Sequence, residues 1–201
     1  MKPILFNTEM VQAILEGQKT VTRRVLKHQP VYEKNSAYMG GGVYRFEHYG
    51  FDLSKSWRGL NLYKDEGKNI PFEVGDIIWV RETWYYENHM HDLTAGEPDL
   101  LNGEYSHRYV YRASSPDYPV NIGVGKHGWK PSIHMPKVAA RIFLKVTGLR
   151  VERLQDITEE QTQAEGFKSR KEFIETFLKI YPDYTEESWV WVIEFERTEV
   201  D

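Results

Sequence analysis

Cysteine is absent from the chain, which excludes disulfide bonds, thiol nucleophiles and thiolate zinc sites together. No apolar run approaches membrane-spanning length, and the N-terminus lacks the basic segment plus apolar core of a signal peptide. Both absences point to a cytoplasmic protein with no membrane partner. An excess of cations is missing as well: 26 Lys and Arg stand against 30 Asp and Glu, a formal charge of -4, whereas binding long RNA usually needs a broad basic surface. No internal repeat is visible. Aromatic residues are plentiful, with six Trp and thirteen Tyr in 201 residues. A chain of that length can bury a real core, and so many rings suit a barrel interior or a base-stacking surface rather than a flexible tail.

The charge is unevenly placed. Asn7 or Thr8 can cap a helix over residues 9–16, in which Val11, Ile14 and Leu15 form one apolar stripe. Gly17 fits the left-handed position just past its end. The stretch Gly17-Gln18-Lys19-Thr20-Val21-Thr22-Arg23-Arg24 follows, and Lys19, Arg23, Arg24 and Lys27 succeed one another without an acid among them. A local basic spot on an acidic chain suits contact with an anion or a nucleic acid, and the plain alternative is a solvated basic turn.

Residues 28–70 read as an insertion; its Gly40-Gly41-Gly42 lacks the Lys-Ser/Thr pair of a phosphate loop and leads into a short strand at 43–46. A turn at Pro71–Asp76 feeds a strand over 77–84, with Ile78, Val80, Glu82 and Trp84 on one face and Ile77, Trp79, Arg81 and Thr83 on the other. Glu82 and Trp84 at its end are candidate substrate contacts, and Arg81 suits a charge pair at a rim. Residues 87–128 form a second insertion carrying a strand over 105–112. His89, His91 and Asp92 resemble metal ligands only superficially, because no distant third ligand is identifiable; no metal and no cofactor are expected. In 129–136, Pro131 and Pro136 pin an extended segment whose Trp129, Lys130, Ser132 and His134 are candidate pocket residues.

The C-terminal third is more regular. A strand over 140–147 puts Ile142, Leu144 and Val146 on the core side, and Gly148 ends or bulges it. Thr158 and Gln161 make a capping box for a helix over 159–165, whose last turn holds Glu165 near the negative end of the helix dipole, a placement that suits a proton-transfer group. Ser169 and Glu172 open a helix over 170–180 with Phe173, Ile174, Phe177 and Leu178 as its stripe. Residues 189–196 form a strand with Trp189, Trp191, Ile193 and Phe195 on one face.

A helix followed by Gly-Gln-Lys-Thr-Val-Thr-Arg-Arg resembles the signature of the ASCH family, small proteins of PUA-like β-barrel fold associated with RNA and modified nucleosides. The whole chain is similar to the long ASCH-domain proteins of phages and prophages. The resemblance implies an α+β fold: one ASCH/PUA-like domain over 1–201, built as a small β-barrel with flanking helices and insertions at 28–70 and 87–128. Against the short bacterial ASCH amidohydrolases the likeness covers residues 8–24, 74–84, 140–167 and 181–197. In that subfamily a lysine, a threonine and a later glutamate are the proposed catalytic group for removing the acetyl group of N4-acetylcytidine, and these positions fall on Lys19, Thr22 and Glu165.

The implied chemistry has Thr22 attacking the amide, neutral Lys19 taking its proton and Glu165 protonating the departing amine; a water activated by Lys19 or Glu165 fits the same residues. Burial and the cations Arg23 and Arg24 would both lower the Lys19 pKa. In a regular strand Lys19 and Thr22 point to opposite faces, so a turn or bulge is required. The implied partner is a modified nucleoside or RNA, and a noncatalytic RNA- or nucleotide-binding module and a ribonuclease are the alternatives within the family. Arg23 and Arg24 are candidate substrate contacts under each.

Overall fold

The computed structural model describes residues 1–34, 42–46, 51–54, 70–87, 108–118, 120 and 128–200. In chain order the elements are β1 (Lys2–Leu5), α1 (Thr8–Leu15), β2 (Val21–Val25), β3 (Val31–Lys34), β4 (Gly42–Phe46), β5 (Phe51–Ser54), β6 (Ile77–Arg81), β7 (Trp84–Glu87), β8 (Arg108–Tyr111), β9 (Phe143–Arg153), α2 (Glu159–Ala164), α3 (Arg170–Ile180) and β10 (Trp189–Thr198). The three helices expected from capping and periodicity are present within a residue at each end.

The fold is α+β around a mixed five-stranded sheet of order β1-β6-β9-β10-β2, in which β1 and β6 run parallel and the other neighbours antiparallel. A closed barrel is the expectation from the sequence, and the described residues do not form one: the order is linear, with β1 and β2 as its edges. Side chains rather than a strand meet the β2 edge. The Arg24 guanidinium donates to the Leu5 carbonyl at 2.7 Å, linking one edge strand to the other. Of the smaller sheets, β3-β4-β5 lies in the stretch 28–70 read as an insertion, while β7-β8 pairs a strand that precedes the second such stretch, 87–128, with one inside it.

β10 is buried on both faces, which is why its sequence is an almost continuous run of large apolar residues. Trp191, Ile193 and Phe195 enter a core with Ile78, Leu144 and the α1 residues Val11 and Ile14, while Val190 and Val192 enter a second core with the α3 residues Phe173, Ile174 and Phe177. Each such side chain stabilises the fold by about 1.5–3 kcal/mol relative to exposure.

Two expected strands have different limits. The strand expected over 77–84 leaves the main sheet after Arg81, and Trp84 begins the β7-β8 hairpin, so Trp84 packs with Met135 and Ala139 instead of with Ile78 and Val80. The strand expected over 140–147 begins at Phe143 and continues through Gly148 to Arg153. Its pairing with β10 shifts register between Glu194 and Phe195, which pair with Gly148 and Val146 and leave Thr147 as the extra residue. This bulge reverses the alternation of β9. Leu144 and Val146 face the first core before it, Leu149 and Val151 after it, and Arg150 and Glu152 are thereby turned to the face that α2 and α3 cover.

Of the strand expected over 105–112, Arg108–Tyr111 is observed and 105–107 lie outside the described residues. His89, His91 and Asp92 lie outside them too. Among the described residues no three His, Asp or Glu side chains are grouped to hold a metal ion, and no helix is long and apolar enough to cross a membrane.

Candidate active site

The segment between α1 and β2 is an exposed turn and not a strand, but its Lys19 is buried. Gly17, at φ 75°, reverses the chain, and the amides of Gln18 and Lys19 both donate to the Ala13 carbonyl, at 2.8 and 3.0 Å. Thr20 then donates to Ala164 at the end of α2 and accepts from Phe195 of β10, each at 2.9 Å. Helix α2 opens with the capping box of Thr158 and Gln161 and ends at Glu165, after which Gly166 turns away at φ 86°. A Cβ at position 166 would stand 3.0 Å from the Ala13 Cβ and 3.7 Å from the Lys19 Cβ. Glycine there is what lets the ends of α1 and α2 meet around Lys19.

Four polar side chains converge at this junction, and all are buried: Lys19 is 2% exposed, Glu165 2%, Thr22 1% and Arg23 1%. The Lys19 ammonium donates to Glu165 Oε2 at 2.6 Å and to the carbonyls of Glu165 and Val21, each at 2.9 Å. Arg23 Nη1 donates to Glu165 Oε1 at 3.2 Å. Both carboxylate oxygens therefore accept from a cation. Burial pushes the Lys19 pKa below its usual 10.5; the charge and hydrogen bond of Glu165 oppose that, and Arg24 and Arg23 add to it.

Thr22 is on β2 and Lys19 precedes that strand, so the odd spacing between them does not force opposite faces. The Thr22 hydroxyl has no hydrogen-bond partner although it is buried. It lines a cavity of about 10 Å³ together with Glu165, Arg23 and Phe173, room for about one water molecule. Beside it a cleft of about 670 Å³ runs along β1 and the first turn of α1, and Met10, Arg24, Ile180 and Tyr181 border both spaces. That volume is within the usual range for a small-molecule site.

The remaining sequence candidates divide. Arg24, half-buried, lines the cleft with its guanidinium 5.2 Å from the Phe6 ring centre, and Ser132 lines its far wall. Arg23 faces inward and is wholly engaged by protein groups. Glu82 is buried, with both oxygens taken by Arg141 at 2.8 and 2.9 Å. Arg81 stacks on Trp79 at 4.9 Å, with its buried Nε unpaired, and among the described residues it joins no charge pair. Trp84 and Lys130 exchange backbone hydrogen bonds, and the Lys130 ammonium sits 4.9 Å over the Trp84 ring. Trp129 packs edge-on to Tyr85 at 6.5 Å, and His134 is exposed at the end of a single 3-10 turn. None of Glu82, Trp84, Trp129, Lys130 or His134 borders the cleft.

Sequence reasoning missed Glu152, which accepts from Arg23 Nε and Nη2 at 2.9 and 2.5 Å, and missed the second task of Gln161, whose Oε1 accepts from Arg23 at 3.0 Å besides closing the capping box. Nothing in the local pattern marks Glu152, because only the bulge puts it on the right face.

No family model and no curated protein matches the chain. Among solved structures it is similar to one described as the crystal structure of protein EF3133 from Enterococcus faecalis V583, family-model DUF984, at 11% identity over 98% of this chain and 81% of that one. The TM-score of that superposition is 0.43, a level of likeness that assigns neither family nor function.

Proposed function

We propose that the protein is an ASCH-type, PUA-like amidohydrolase that removes the acyl group of a modified nucleoside such as N4-acetylcytidine, with Lys19, Thr22 and Glu165 as its catalytic group. One observation carries the reading: the buried lysine-glutamate pair contributes Glu165 to the same small cavity as a buried Thr22 hydroxyl that has no partner, and Met10, Arg24, Ile180 and Tyr181 separate that cavity from a cleft of nucleoside size. A hydroxyl deprived of partners is available to a substrate. A lysine whose pKa is lowered by burial gives up its proton more readily than a solvated one, the direction a base requires.

In the forward step the Thr22 oxygen bonds to the amide carbonyl carbon, and its proton passes to neutral Lys19. The 2.6 Å contact with Glu165 hands that proton on to the nitrogen of the departing amine as the carbon-nitrogen bond breaks. Water then attacks the acyl-threonine, a proton returns to Thr22 and the carboxylic acid leaves. Direct attack by a water held in the small cavity uses the same proton path.

The binding-module alternative loses its main support, since Lys19 and Arg23 are buried and cannot offer charge to a phosphate backbone. A ribonuclease has no separate observation in its favour. The test is to incubate the purified protein with N4-acetylcytidine and to follow cytidine and acetate. Wild type should release both, and Thr22→Ala, Lys19→Ala and Glu165→Gln should each lose at least about 100-fold in kcat/KM. Hydrolysis undiminished in Thr22→Ala would exclude the acyl-threonine route and leave direct attack by water. Intact nucleoside after prolonged incubation with folded wild type would sink the proposed substrate.

A further inference from the structure

From the catalytic pair a row of alternating charges runs on through Arg23, Glu152, Arg150 and Glu194, residues that the proposed mechanism does not use, and its role rests on the hydrolase reading. Lys19 pairs with Glu165, Glu165 with Arg23, and Arg23 with Glu152. Glu152 Oε2 faces Arg150 Nε at 3.4 Å, and Arg150 pairs in turn with Glu194. The row crosses β2, β9 and β10, from a lysine side chain with no exposure to a glutamate side chain 47% exposed. Arg23 is its pivot. Its guanidinium touches Gln161 near the start of α2 and Glu165 at the end, so one rigid planar group spans the helix that delivers the carboxylate.

We infer that Glu152 is a positioning residue of the hydrolytic site: together with Gln161 it fixes the Arg23 guanidinium, which holds Glu165 Oε1 so that Oε2 stays on Lys19, and its charge balances a cation that would otherwise pull Glu165 away. The charged groups facing Lys19 are Glu165 from the end of α2 and Arg23 and Arg24 from β2. Those facing Arg23 from behind are Glu152 and, beyond it, Arg150 of β9 and Glu194 of β10. Removing the Glu152 charge leaves Arg23 compensated by Glu165 alone, a carboxylate that Lys19 must share. The ammonium form of Lys19 is then less favoured. Removing Arg150 has the opposite sense, because Glu152 is left to Arg23 and one cation has gone.

The experiment follows Lys19 by NMR of isotope-labelled lysine across pH in the full chain, as wild type, Glu152→Gln and Arg150→Gln, alongside the pH dependence of N4-acetylcytidine hydrolysis. In Glu152→Gln the Lys19 midpoint should fall by about one pH unit. The rise of kcat with pH should move down with it, and the plateau kcat should drop about tenfold with KM unchanged. In Arg150→Gln the midpoint should rise. An unmoved Lys19 midpoint in folded Glu152→Gln overturns the inference. Should that variant fail to fold, Arg150→Gln decides, and any result other than a rise overturns it. Midpoints that move as stated in a protein that leaves the nucleoside intact would establish the charge clamp and remove N4-acetylcytidine as the substrate instead.

Discussion

Lys19 has three protons to donate and gives all of them to oxygen: one carboxylate and two carbonyls. That arrangement explains how a lysine tolerates complete burial, and it makes the site costly to dissect. Breaking a buried pair leaves an uncompensated charge, at about 3–5 kcal/mol. Glu165→Leu, which strands the Lys19 ammonium and leaves Arg23 to Glu152 alone, should therefore lower stability by that order in urea, whereas Glu165→Gln keeps the shape and some of the hydrogen bonds and should cost clearly less. Substitutions here are not neutral for the fold, as those of a solvated turn would be. The pH dependence has a definite sign. The native pKa of Lys19 lies below its unfolded value near 10.5, so between the two the unfolded chain holds a proton that the native chain has lost. Stability contributed by this residue rises with pH through that window. Wild type should gain on Lys19→Met as pH rises toward about 10, and a constant difference in their urea midpoints would argue against the depressed pKa. The motif itself was legible from the residues Gly17 to Arg24. Burial of Lys19 entered only with the chemistry that the resemblance implies, and burial of Arg23 did not enter at all, because what covers them, the end of α2, is brought in from more than a hundred residues away.

Two elements, the end of α2 and the bulged β9, decide whether those residues meet. Gly166 serves the first. Any side chain there adopts a left-handed backbone and meets the Ala13 Cβ at 3.0 Å, so Gly166→Ala should cost about 1–2 kcal/mol and should lower hydrolysis more than a surface mutation of equal cost, by prising α2 off Lys19. Equal losses of activity in Gly166→Ala and in a stability-matched distant variant would deny that coupling. The bulge on β9 shows where sequence reading reaches its limit. Alternation from Ile142 through Leu144 and Val146 places even-numbered residues in the core, and continuing it would bury Arg150 and Glu152 among Ile193 and Trp191. The inserted Thr147 reverses the parity, and the reversal depends on pairing with β10, which no local window contains. Helix limits, by contrast, were written in capping residues: Thr158 with Gln161 for α2, and Ser169 with Glu172 for α3, where the Ser169 side chain accepts from the Glu172 amide.

At the scale of the molecule the cleft lies along the edge strand β1, and Arg24 ties β1 to β2. Arg24→Met keeps the stem and removes that link. The amides of β1 should then exchange with solvent about tenfold faster while those of β9 and β10 hold, and KM should rise with little change in kcat. Uniform exchange throughout the sheet would show that Arg24 does not secure this edge. The aromatic cluster of Trp84, Tyr86, Tyr109 and Lys130 stands apart from the cleft, and rings that composition alone could assign to base stacking are used there to pack a hairpin. The sheet order also fixes when the protein can begin to work. β2, which carries Thr22 and Arg23, has as its ladder partner only β10, residues 189–198, among the described strands. During vectorial synthesis the nascent chain therefore emerges with β2 unpaired and its cationic side chains unaccompanied, and they remain so until residues 189–198 have left the ribosome. The proposed site would assemble only once β10 emerges, and a chain stalled before residue 189 would present two open strand edges to whatever else is being made nearby.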